Sequence, residues 1–202
     1  MKTRLTFCIL LASTMFAVLP GCTGGKKDAE SHDHHEMAAT EESTTEAAGP
    51  QFTVDENFKQ QLNTVFTAYV SLKDAFVASD AEKVKAEASN TSQAVAKVDM
   101  KLLSGAEHND WMSYLGSIEK SLKEIEGSSD LAVQRRAFST LSEGLYKSIK
   151  AFGLGNGEAF YEYCPMAFNN EGAYWLSDKE AIRNPYFGDE MLTCGQVKEK
   201  LK

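Results

Sequence analysis

The chain has 202 residues, of which 43% are hydrophobic and 25% charged, enough for one globular domain with extensions. Its net charge of −8 gives no sign of nucleic-acid recognition through a basic patch. Acidity of this size bears on solubility and does not name a partner.

Residues 1–22 read MKTRLTFCILLASTMFAVLPGC. Lys2 and Arg4 precede an apolar run that ends at Leu19. The run is too short for a membrane span and has the layout of a secretory signal. Leu19-Pro20-Gly21-Cys22 resembles a bacterial lipobox, in which the cysteine is acylated and becomes the first mature residue. The expectation is a lipid anchor at Cys22, holding the protein in the cell envelope at the outer membrane and facing the periplasm, with the cell surface as the other possible face. A signal cleaved elsewhere, with a soluble product, is the alternative. Cys8 leaves with the signal, so Cys164 and Cys194 remain as the thiols of the mature chain, in a compartment where disulfides persist.

Residues 23–51 are rich in Gly, Ser, Thr, Ala and Glu, a composition that builds no core and predicts a disordered linker. Within it His32, His34 and His35 stand beside Asp33, Glu36 and Met37. This is an auxiliary metal-capture tail for copper or zinc, or a polar tether with incidental histidines.

Helical periodicity begins at Phe52. Thr53 with Glu56 matches a capping box, and Phe58, Leu62, Val65, Tyr69, Leu72 and Phe76 recur at three- and four-residue steps. Ser79 with Glu82 opens a second stripe of Val84, Ala88, Thr91, Val95, Val98 and Leu102. A third runs through Trp111, Leu115, Ile118, Leu122 and Ile125 to Gly127. A fourth starts at Ser128-Ser129-Asp130 and runs from Leu131 to Phe152. Four such segments with short loops over residues 52–155 predict an all-α, up-down four-helix bundle. Antiparallel neighbours then put the end of the second helix, the start of the third and the end of the fourth together. That end carries Met100, His108 and Met112, and the C-terminal segment leaves from it. His108 is therefore the candidate nitrogen ligand, with a surface or capping role as the alternative.

Residues 156–202 are expected to form an irregular, aromatic- and Cys/Met-rich cap on the bundle. Eight aromatics lie between Phe160 and Phe187, and Cys164-Pro165-Met166 and Met191-Leu192-Thr193-Cys194 bracket the segment. Ala159–Tyr163 reads as extended. Ser177-Asp178-Lys179-Glu180 matches a capping box for a short helix, and residues 196–202 read as a terminal helical turn. Two thiols and two thioethers suit Cu(I) or a similar soft metal, which makes Cys164, Met166, Met191 and Cys194, with His108, the candidate ligand set. The alternative is a Cys164–Cys194 disulfide, closing a loop of 31 residues and stabilising the fold by about 3.5–4 kcal/mol on the chain-entropy account.

Ala106-Glu107-His108, Trp111-Met112, Tyr163-Cys164-Pro165-Met166-Ala167, Gly172 to Ser177, Ile182 to Gly188 and Met191-Leu192-Thr193-Cys194-Gly195 together resemble the envelope family called domain of unknown function 3347, over about residues 52–200. Members are exported helical domains. Some are fused to periplasmic adaptors of heavy-metal efflux pumps, and others are encoded near copper-handling genes. The resemblance implies a role in copper or heavy-metal handling and an adaptor or other pump component as partner, here as a stand-alone version on a lipid anchor. It supplies no ligand set.

The expected function is thus a lipid-anchored envelope protein that binds copper in the service of efflux. The alternative is a disulfide-stapled interaction module that docks on a pump component and holds no metal. An enzyme is not expected, since the chain lacks a Gly-rich phosphate loop, HExxH and a Ser/His/Asp arrangement.

Overall fold

A computed structural model describes residues 45–46 and 48–202. The signal segment, Cys22, His32, His34 and His35 lie outside the described residues. A two-residue strand, β1 (Thr45–Glu46), falls within the stretch expected to be linker. Helix α1 (Glu56–Val77) starts at Asp55, whose carboxylate accepts the Asn57 N–H at 2.8 Å. The cap is therefore Asp55 and not Thr53. Helix α2 (Ala81–Ala96) begins in the same way, with Asp80 accepting the Lys83 N–H at 3.0 Å. It stops short of Leu102, and Met100–Leu102 form a separate 3-10 turn. Helix α3 spans Gly105–Gly127 and α4 spans Leu131–Phe152, the latter capped by Asp130.

Each long helix buries the stripe its periodicity announced. Phe58, Leu62, Tyr69, Leu72 and Phe76 of α1 meet Val84 and Ala88 of α2, Trp111, Ile118 and Ile125 of α3, and Phe138, Leu145 and Phe152 of α4 in one core. Helices adjacent in sequence pack together, and β3 (Ala173–Ser177) packs on both α4 and α1. Rings mark the two ends. Phe58 meets Trp111 at 5.4 Å and Phe152 at 5.2 Å at one end, and Phe76 meets Phe138 at 4.6 Å toward the other.

The C-terminal part corrects the all-α expectation, because it folds as a small sheet. Strand β2 (Ala159–Cys164) pairs antiparallel with β3 and with β4 (Gln196–Leu201), and β1 adds in parallel to β4, giving the order β1-β4-β2-β3. The expected helix after Ser177 does not form. Ser177 ends β3, and its hydroxyl accepts the Lys179 N–H at 3.1 Å as a turn. The terminal segment is strand rather than helical turn. Pairing with β2 supplies its backbone with partners that an isolated turn of helix lacks.

Edge strand β3 is closed by side chains from elsewhere. Its Leu176 N–H donates to the Tyr69 hydroxyl at 3.1 Å, and the Tyr186 hydroxyl donates to the Tyr174 carbonyl at 2.5 Å. Tyr69 is held in turn by Ser142 at 2.7 Å. These bonds satisfy an edge that would otherwise offer unpaired groups. Tyr146 of α4 continues a ring stack through Tyr161 (3.8 Å) to Tyr174 (4.7 Å) and Tyr163 (4.4 Å), fixing the sheet to the bundle.

Candidate functional site

Strand β2 delivers Cys164 to its C-terminal end, opposite Ala173 of β3 and wholly buried. The chain then turns at Ala167–Asn170, where Phe168, Asn169 and Asn170 take φ of 54°, 59° and 70°. Three consecutive left-handed residues without glycine cost free energy, on the order of 1–3 kcal/mol each. Arg136 of α4 meets the turn from outside. Its guanidinium lies 3.9 Å over the Phe168 ring and 2.6 Å from Glu171. The turn leaves Met166 48% exposed.

The return loop brings Cys194 back. Asn184, wholly buried, is its pin. Its amide donates to the Cys194 carbonyl at 2.7 Å, its side-chain oxygen accepts the Tyr186 N–H at 2.8 Å, and its own N–H donates to the Leu192 carbonyl at 2.8 Å. Cys194 closes a tight turn on Met191 with N–H to carbonyl at 3.0 Å. The result places Cys194 Sγ 2.6 Å from Cys164 Sγ, although the residues are 30 apart in sequence. Burial, followed by the hydrogen bond and charge of Cys164, holds the Cys194 thiol above its ordinary pKa. Replacing Asn184 with alanine strands the buried Tyr186 N–H and the part-buried Cys194 carbonyl. It is expected to lower the unfolding free energy by about 2–3 kcal/mol, read as a shifted urea midpoint. A parent-like midpoint would remove Asn184 from this role.

Met166 and Met191 line one cavity of about 500 Å³ with Ala132, Arg135 and Arg136 of α4. The sulfur-rich region therefore sits over the start of α4, not its end, which corrects the expected location. His108 is on the first turns of α3, the level where Trp111 meets Phe58 and Phe152. The start of α4 lies beside the end of α3, where Gln134 donates to the Ile125 carbonyl at 3.3 Å. From His108 to Ile125 is about 25 Å along the helix axis, so His108 is not brought to the cysteines. Met100 and Met112, exposed at 39% and 45%, stay on the surface near that far end. The cap leaves from the end of α4 but does not stay at that end. Instead β2 and β3 run back along the bundle.

Two polar side chains near the sulfur pair carried no sequence signal. Glu162, two residues before Cys164 on β2, is wholly buried, and neither carboxylate oxygen has a hydrogen-bond partner among the described residues. Burial pushes its carboxyl up to about 8, against the pull of the Lys73 charge. Asn184 stood in the sequence only as one position of the Ile182 to Gly188 motif.

Two thiolates are donors that a soft ion takes, while Met166 and Met191 line the cavity at the start of α4, whose lining includes neither cysteine. The pair does not supply the four N, O or S ligands of a closed zinc site, and the described residues hold no group of three or more His, Cys, Asp or Glu arranged for a metal. A metal about 2.3 Å from each thiolate requires the sulfurs to part from their 2.6 Å contact.

Fold and site together define a mostly helical, bundle-like domain with a small C-terminal sheet that carries a cysteine pair. The family model described as Protein of unknown function (DUF3347) matches residues 65–157, and over that stretch the chain is similar to it. The matched stretch runs from within α1 to just past α4 and ends before Cys164. No curated protein and no solved structure matches the chain. Among the described residues no helix is long and apolar enough to cross a membrane.

Proposed function

We propose that the chain is a non-enzymatic, lipid-anchored envelope protein that binds Cu(I) or a related soft heavy metal and serves metal efflux or resistance. The observation that carries this reading is the contact between Cys164 and Cys194 at the end of β2, with Met166 and Met191, two and three residues away in sequence, lining a cavity at the start of α4. The two cysteines, as thiolates, would supply charge and affinity. The thioethers would keep the site soft and allow hand-over to a partner. The cargo metal supplies the soft acceptor, and the chain supplies binding and release. Cys22 would tether the domain, and His32, His34 and His35 would gather metal nearby. The resemblance to the 3347 family supports a periplasmic adaptor or another pump component as the recipient.

The test is a Cu(I) titration of the reduced chain, with His32, His34 and His35 replaced by alanine, against a competing chelator. One equivalent should bind, and Cys164→Ser should abolish it. Parent-like binding by Cys164→Ser would sink the assignment.

A second reading is favoured by the 2.6 Å sulfur separation and the complete burial of Cys164. Here the pair is a resting disulfide, and the domain is an interaction module docking on a pump component. Protein taken from its native compartment and assayed for thiols under denaturing conditions separates the readings. Two free thiols support the metal seat, and none supports the staple.

A further inference from the structure

The two sulfurs are not equivalent. Cys164 is wholly buried at the end of β2. The Asn184-pinned loop keeps the Cys194 backbone seated beside it. Cys194 itself is partly exposed. Its turn is closed on Met191, and its sulfur faces the Met166 backbone. Met166 and Met191 in turn line the cavity at the start of α4. Met166 itself, just ahead of the Phe168–Asn170 turn that Arg136 meets from outside, is 48% exposed. Cys194 is thus the more accessible residue of the pair, and Cys164 has no exposed surface.

We infer that Cys194 is the exchange sulfur of this site, and that a dithiol-bearing protein partner sets the redox state of the pair through it. This deepens the proposed function and rests on reading the pair as a metal seat, since only the reduced pair offers two thiolates. In the oxidised form, a thiolate of the partner attacks Cys194 Sγ in line with the Cys164–Cys194 bond. A sulfur–sulfur bond forms between the partner and Cys194. The old bond breaks, and its electron pair leaves on Cys164 as a thiolate, which takes a proton from water. The second thiolate of the partner then attacks the partner sulfur of the mixed disulfide. The partner closes its own disulfide, and Cys194 leaves as thiolate. Two electrons pass from the partner dithiol to the pair, and the pair becomes competent for metal. Attack on Cys164 would require the loop through Cys194 to lift first.

The test uses the full chain and glutathione as probe, with adducts located by peptide mass mapping. Reduced Cys164→Ser, treated with glutathione disulfide, should form its adduct on Cys194 at least roughly tenfold faster than Cys194→Ser forms one on Cys164. Denaturant should erase the difference. The parent, oxidised and then briefly exposed to reduced glutathione and acid-quenched, should carry the adduct on Cys194, an arm that needs no variant to fold. Equal native rates, an adduct on Cys164, or a pair that excess oxidant does not join would each overturn the inference. The Cu(I) titration of the reduced parent is read separately. Failure there removes the metal seat and leaves the sulfur asymmetry measured.

Discussion

Replacing Phe138 with alanine is expected to lower the unfolding free energy by about 3–5 kcal/mol and to loosen bundle and cap in one transition. Phe138 is wholly buried on α4. It stacks on Tyr69 at 5.1 Å, meets Phe76 at 4.6 Å, and touches Tyr186 of the return loop at 6.0 Å. Its backbone carbonyl also accepts the Ser142 hydroxyl at 2.8 Å, the start of the chain of bonds through Tyr69 to the edge of β3. One ring thus supports two helices and the cap. Urea unfolding followed by far-UV dichroism and by tryptophan fluorescence checks this, since Trp111 reports the bundle and Trp175 the sheet. A loss below about 1 kcal/mol would contradict the cavity argument. Separate midpoints for the two signals would contradict the shared core.

The second large effect is a pH dependence set by Glu162. Its carboxyl titrates near 8 in the folded chain against an ordinary value of 4.5, because burial penalises the charged form. Between those values the native state keeps a proton that the unfolded state has released. The contribution of this group is therefore most favourable below about pH 4.5, falls as pH rises toward 8, and levels off above it. The loss at pH 7 is on the order of 3 kcal/mol. Glu162→Gln removes that loss. The variant should match the parent near pH 4 and exceed it increasingly up to pH 8, and taking the difference at each pH cancels the other titrating groups. Urea midpoints at pH 4, 6 and 8 read it directly. A constant offset across that range would show that Glu162 is ionised throughout.

The helical part of the fold was legible because local pattern and tertiary need agree there. Phe58 to Phe76, Trp111 to Ile125 and Phe138 to Phe152 recur at helical spacing, and each stripe is what the core buries. Cap positions slipped by one or two residues, since Thr53, Asp55, Ser79 and Asp80 all carry oxygens able to accept a first-turn N–H. Asp55 and Asp80 took that role. After Phe152 the agreement ends. Ser177 with Glu180 matches a capping box, yet the backbone there ends a strand whose partner, β2, lies ten or more residues back. Residues Gln196–Leu201 have no helical stripe to bury and found their hydrogen bonds on β2.

The site divides in the same way. That two thiols and two thioethers bracket one segment is a fact of the sequence alone, and so are the lipobox-like ending at Cys22 and the histidine tail. Which sulfurs meet, and where, depended on strand pairing between distant residues. Register with β3 and β4 carries Cys164 inward, and the three bonds of Asn184 carry Cys194 back to it. The same pairing runs the sheet along the bundle toward the start of α4, leaving His108 at the far end of α3. Periodicity reports which face of a helix is buried, because that is set within a few turns of chain. It is silent on which end of a bundle a later segment returns to, because that is decided by hydrogen bonds and ring contacts between residues tens of positions apart.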